Sequence, residues 1–202
     1  HMERVIAVKE TQKVLTDHEQ RFQKLEVIPE AVRVIIYQLK DWFEELQDRV
    51  NSLSEKLSRQ EGNQQVEFEN AIVPIVGSYL GKEFPKHYKK LENPLKSLSG
   101  EARKQLVELF RTKLCDLIHQ SPFAHRVYHK PLGYAGDYEM MNLIYRSDTR
   151  GHSLFARCLE YYSVREPAAQ AVRNRARYLE KKIADRIKKQ SSEPIRFLSV
   201  AC

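Results

Sequence analysis

An all-α chain is predicted: a long helical hairpin or coiled segment, then a helical cap bundle, ending in a single β-strand of a truncated α/β domain. Three observations predict it. Seven glycines and eight prolines in 202 residues are too few for a many-turned all-β fold. Apolar residues recur at steps of three and four over most of the length. One short apolar run near the end, unlike anything before it, lacks that period. The expected divisions are residues 1–65, 66–192 and 193–202.

Residues 3–27 read as a first helix, with Val5, Val8, Leu15, Phe22 and Leu25 loosely spaced among charges. Pro29 resets the chain. From there Val32, Ile35, Leu39, Trp42, Leu46, Val50, Leu53 and Leu57 form a heptad seam with one extra four-residue step, suited to a hairpin helix in a bundle or to a dimerising coil. Gly62 and Asn63 are expected to end it. Residues 66–91 are helical in pattern, but Pro74, Gly77, Gly81 and Pro85 predict a kinked or divided helix. A turn over 93–100 carries Ser99, placed to cap a helix whose buried face is Leu106, Leu109, Phe110, Leu114, Leu117 and Ile118.

Residues 121–138 show no sustained period and read as a loop rich in aromatics, histidines and glycines. Helices are expected over 139–146, 151–165 and, with Pro167 in its first turn, 168–190. In the last of these Val172, Ala176, Leu179, Ile183 and Ile187 share a face that should pack while the basic face stays wet. Ile195, Phe197, Leu198 and Val200 then follow a Ser-Ser-Glu-Pro break as a buried parallel strand, the kind that opens an α/β domain. The opening His1-Met2 reads as a tag remnant.

Charge and cysteine content narrow the function classes. Net charge is +7, unevenly placed: residues 1–100 hold 15 Lys+Arg against 16 Asp+Glu, and residues 101–202 hold 19 against 11. The basic half suits an anionic partner or simply solvated helix faces. Nucleic acid is disfavoured, since the basic helix carries only Tyr178 as an aromatic. Three cysteines without C-x-x-C spacing support neither a disulfide framework nor a zinc site, and point to a reducing, cytoplasmic setting. Cys115 and Cys158, on apolar helix faces, read as small buried residues. His125 and His129 lie four apart near His119, but a metal would need a third converging ligand, and none is expected. The longest apolar stretch, residues 71–80, is too short to cross a bilayer.

The densest information is the run Tyr128-His129-Lys130-Pro131-Leu132-Gly133-Tyr134-Ala135-Gly136-Asp137-Tyr138, continuing to Asn142. Gly133 and Gly136 allow close backbone approach or positive φ, and the tyrosines offer flat faces with polar tips. Asp137 stands where a carboxylate can cap the next helix. Two readings stand: a packed aromatic loop, or a wall over a bound small molecule in which Tyr134 or Tyr138 stacks and Asp137 accepts a hydrogen bond.

This run, with Gly151 to Tyr162, the basic helix and Ile195 to Cys202, resembles a family of bacterial class I S-adenosylmethionine-dependent methyltransferases that includes the makers of 3-hydroxy-fatty-acid methyl esters (extracellular factor). The resemblance covers roughly residues 120–202. It implies a helical amino-terminal region before a methyltransferase domain whose first strand would be 197–202, and a chain that by itself is inactive. Cofactor contacts implied are Tyr128, Gly133, Tyr134, Gly136, Asp137, Tyr138, Ala201 and Cys202. No catalytic residue is identified. If the acceptor is a fatty carboxylate, His129, Lys130, His152 or Arg157 would meet its charge. Phe155, Leu159, Tyr161 and Tyr162 would line an apolar channel or serve as ordinary core. An acidic acyl carrier and a second copy of the chain are the implied partners. A non-catalytic helical interaction module is the competing expectation.

Overall fold

The structure, a computed structural model, describes residues 12–16, 28–57, 62–134, 136–189, 196 and 198. Among these there is no strand, and the helices of eight residues or more are α1 (Glu30–Leu57), α2 (Gly62–Ser97), α3 (Gly100–Ile118), α4 (Pro122–His129), α5 (Tyr138–Arg146), α6 (Leu154–Ser163) and α7 (Pro167–Lys189). Most of the first helix expected over 3–27, and nearly all of the terminal strand, lie outside the described residues.

The seam expected on α1 is buried within the chain, packing on α2, α3 and α6. Being surrounded on three sides, it is wider than a two-stranded coil needs: Val32, Ile36, Leu39, Phe43 and Val50 are buried, with Ile35, Trp42 and Leu46 partly so. Leu53, expected in the seam, is instead 41% exposed. Each buried side chain contributes roughly 2 kcal/mol of transfer free energy before entropy is counted. α2 runs antiparallel to α1, as Phe43 on Phe84 (5.3 Å between ring centroids) and Ser54 on Glu69 (2.7 Å) show.

Gly62 and Asn63 begin α2 where they were expected to end the preceding helix. The expected division of α2 is also overturned: it continues through Pro74, Pro85 and Pro94. An interior proline costs about 3 kcal/mol. Burial of Val73, Leu80 and Leu91, with Phe84 wedged between Phe43 and Tyr162, supplies the offset. Gly77 lets α6 approach: a Cβ there would lie 2.4 Å from the Tyr161 ring. α6 runs parallel to α2, with Arg157 beside Glu69 and Tyr162 beside Gly81 and Phe84.

Phe155, Cys158 and Leu159 of α6 are buried in the core these four helices share. The first two are fully enclosed and Leu159 is 3% exposed. They are core residues, and the expectation that Phe155 and Leu159 line a channel is corrected. The core joins residues 28–50 to residues 73–159, so it crosses the division placed at residue 65.

α4 packs on α6 of this bundle, α5 packs on α4, and α7 packs on α5. The loop expected over 121–138 contains α4, whose Pro122 takes the first helical position behind the N-cap Ser121. In the C-terminal part of α7 the expected packing face is open: Leu179, Ile183 and Ile187 are 52%, 41% and 52% exposed.

Candidate functional site

Local capping places the 121–138 segment. The Ser121 hydroxyl accepts the Ala124 N–H at 3.1 Å and donates to Glu160 Oε2 at 2.6 Å, and the same oxygen accepts the Phe123 N–H at 2.9 Å. Glu160 thus receives the N-terminus of α4 from inside the core. Burial raises its carboxyl above the usual range, and its second oxygen has no hydrogen-bond partner among the described residues. Nothing in the sequence marked Glu160; its spacing on α6 simply reads as another turn.

α4 ends at Lys130, which sits in the left-handed region (φ 47°). Gly133 (φ 85°) then donates to the Lys130 carbonyl at 2.7 Å, and Gly136 (φ 87°) turns the chain into α5. These conformations suit glycine because no Cβ resists them. Asp137 caps α5 as expected, its Oδ1 accepting the Met140 N–H at 2.8 Å. The same oxygen accepts Arg126 Nε at 2.8 Å, tying α4 to α5. The guanidinium holds the Asp137 carboxyl below its ordinary range.

Asp137 is only 1% exposed. It is a structural staple, its Oδ1 shared between Arg126 and the first turn of α5. Tyr134 and Tyr138 remain open, at 54% and 62% exposure. The segment offers exposed phenol rings at Tyr134 and Tyr138, two positive-φ glycine backbones and the Glu139 carboxylate. Ala201 and Cys202 lie outside the described residues.

Two of the expected acceptor residues are engaged elsewhere, and a third stands apart from the clefts. Arg157 donates to Glu69 at 2.8 Å, to Asn70 at 2.6 Å and to the Thr149 carbonyl at 3.2 Å, a bridge between α6 and α2. Tyr161 packs on Gly77 with Arg165 stacked over it at 3.6 Å. His152 is exposed and lines neither cleft described below.

Tyr128, His129, Lys130 and Tyr162 do come together, in a cleft of about 880 Å³ between the end of α3, α4 and the start of α7. Burial, with Glu166 close by, raises the Tyr162 phenol above its ordinary range. Arg111 and His119 also line the cleft, and Glu166 sets one carboxylate among these groups. The His125 and His129 rings stack at 4.0 Å, with His119 at 5.3 Å from His129. His129 Nδ1 is occupied by the His125 carbonyl at 2.9 Å. Burial, helped by the two neighbouring imidazoles, lowers the His119 value. Among the described residues no three His, Cys, Asp or Glu side chains are placed to hold a metal ion. Cys158 is fully buried, and that burial pushes its thiol up to about 12, the setting of a small core residue.

A second cleft, about 560 Å³, adjoins the first between α1, α2 and α3. Its walls are apolar, among them Ile36, Leu91, Leu95, Leu106 and Phe110, and its rim carries Lys96, Arg103 and Arg111 with no carboxylate among the lining residues. The two clefts share Arg111, His119 and Tyr128. An elongated apolar body with an anionic end is the shape and charge this pair can take. Sequence reading missed Arg111 and Arg103 because each looks like one more solvated charge on α3. No helix of the described residues is long and apolar enough to cross a membrane. Compared with known proteins, the chain matches no family model, no curated protein and no solved structure.

Proposed function

We propose that this chain is the cap and acceptor-recognition region of an S-adenosylmethionine-dependent methyltransferase acting on the carboxylate of an amphiphile such as a hydroxy fatty acid. One observation carries the reading: an apolar cleft and a polar cleft that holds Arg111 and Lys130 meet at Arg111, His119 and Tyr128. The resemblance of Tyr128 to Asn142 to the methyltransferase family supplies the reaction class. The bound cofactor contributes a methyl group already activated on a sulfonium, and an ionised carboxylate needs no general base. What falls to this chain is to hold the tail in Leu91, Leu106 and Phe110, to meet the head group with Arg111, and to exclude water with the segment around Tyr134 and Tyr138.

The test is calorimetric titration of the protein with 3-hydroxydodecanoate below its micelle concentration. Saturable heat that falls by about tenfold in affinity in Arg111→Ala is expected, the loss of one charge-assisted contact. Absence of heat from the acid leaves the non-catalytic interaction module as the better account.

A further inference from the structure

Beyond Arg173, α7 contributes to neither cleft. Arg173 itself anchors the helix, donating to the Val164 carbonyl at 2.6 Å and the Ile144 carbonyl at 3.2 Å. The sixteen residues that follow extend about 24 Å at the helical rise. Along them Ala176, Leu179, Ile183 and Ile187 form one aliphatic stripe, and Tyr145 of α5 continues it. Together they border an open groove of about 880 Å³, at whose edges Arg175 and Glu180 stand. A stripe of this period is normally buried.

Its surroundings limit what can cover it. Residues 173–189 hold eight Lys+Arg against Glu180 and Asp185. At 100° per residue, Arg175, Lys182 and Arg186 fall along one flank of the stripe and Arg177 and Lys188 along the other. A second copy seated on the stripe would bring two such fields together, and like charges repel. A groove in an acidic protein would meet the stripe and one flank more readily than both. An extended anionic plane meets both flanks at once.

We propose that α7 lies flat on an anionic phospholipid surface. Leu179, Ile183 and Ile187 enter the boundary between head groups and acyl chains, Tyr145 sits at the same depth, and the flanking Lys and Arg side chains reach the phosphates. The helix lies on the bilayer and does not span it, since its polar face is charged along its whole length. This attachment is independent of methyl transfer and is read without it.

Sedimentation of the protein with vesicles of phosphatidylcholine, alone or mixed with phosphatidylglycerol, tests it. Binding about tenfold or more tighter to the mixed vesicles is expected, weakened by salt. Leu179→Ser with Ile183→Ser should remove about tenfold of that affinity while far-ultraviolet circular dichroism stays unchanged, because both side chains are already exposed. Lys182→Glu with Arg186→Glu should do the same. Equal binding of the serine variant would reduce the effect to bulk charge and overturn the proposal. So would failure of the wild-type protein to sediment with the mixed vesicles, whether it instead dimerises through the stripe in light scattering or binds polyglutamate in solution.

Discussion

Arg126 donates its Nε to the buried Asp137 carboxylate at 2.8 Å, and the same oxygen caps α5 through the Met140 N–H. One carboxylate thereby fixes the turn that presents Tyr134 and Tyr138. The Arg126 contact lowers the Asp137 value in the folded chain, so the folded protein binds fewer protons than the unfolded one as the pH drops. The stabilisation is present above the ordinary carboxylate range and is lost as the pH falls through the lowered value. Asp137→Asn should flatten this acid limb in melting curves taken across pH. A variant whose acid limb matches the wild type would remove the staple from the account.

Glu160 has the opposite sign. Burial raises its folded value, so stability is fullest at low pH and declines as the pH rises through that value. Glu160→Gln keeps an acceptor for Ser121 and Phe123 without a buried charge. It should match or exceed the wild type at neutral pH, with the difference vanishing in acid. Glu160→Ala instead leaves those donors without their acceptor and should cost about 2 kcal/mol in denaturant unfolding.

Two glycines on α2 should respond oppositely to alanine. At Gly77 the added methyl meets the Tyr161 ring at 2.4 Å and the Cys158 carbonyl at 3.1 Å. Overpacking there should destabilise by about 1–3 kcal/mol, exceeding the gain in helix propensity. At Gly81 the nearest atom, on Tyr162, is at 3.5 Å, ordinary contact. Gly81→Ala should therefore stabilise by about 0.5–1 kcal/mol. Chemical denaturation of the two variants side by side checks both signs.

The parts of this fold legible in the sequence are those decided locally. Ser99 and Asp137 cap the helices expected of them because a side-chain oxygen and amides a few residues on settle that geometry alone. α4 was illegible because two turns cannot display a period and Pro131 and Gly133 follow closely. The prolines of α2 misled, since their cost is local while the burial of Val73, Leu80 and Leu91 that outweighs it is tertiary. In the candidate site the run around Tyr128 was readable as unusual. The shared position of Arg111 and His119 was not, because it arises where α3 ends against α4. For α7 the period was plain, but periodicity does not say what lies opposite the apolar face.

Arg157 and Arg111 show the same limit and separate two kinds of arginine experimentally. Arg157 bridges to Glu69, 88 positions away in the chain, with both side chains largely shielded at 19% and 15% exposure. Its guanidinium is committed to α2, so Arg157→Ala should cost about 2 kcal/mol of stability through the stranded Glu69 carboxylate and leave the affinity for an amphiphilic carboxylate unchanged. Arg111 is exposed at the junction of the two clefts, its guanidinium 5.8 Å from the centre of the Tyr128 ring. Arg111→Ala should leave the melting temperature almost unaltered, as exposed cations contribute little to folding. Its effect belongs in the binding isotherm. Thermal melts and calorimetric titrations of both variants give a crossed pattern if the head group sits at Arg111, and the reverse pattern would relocate it to Arg157.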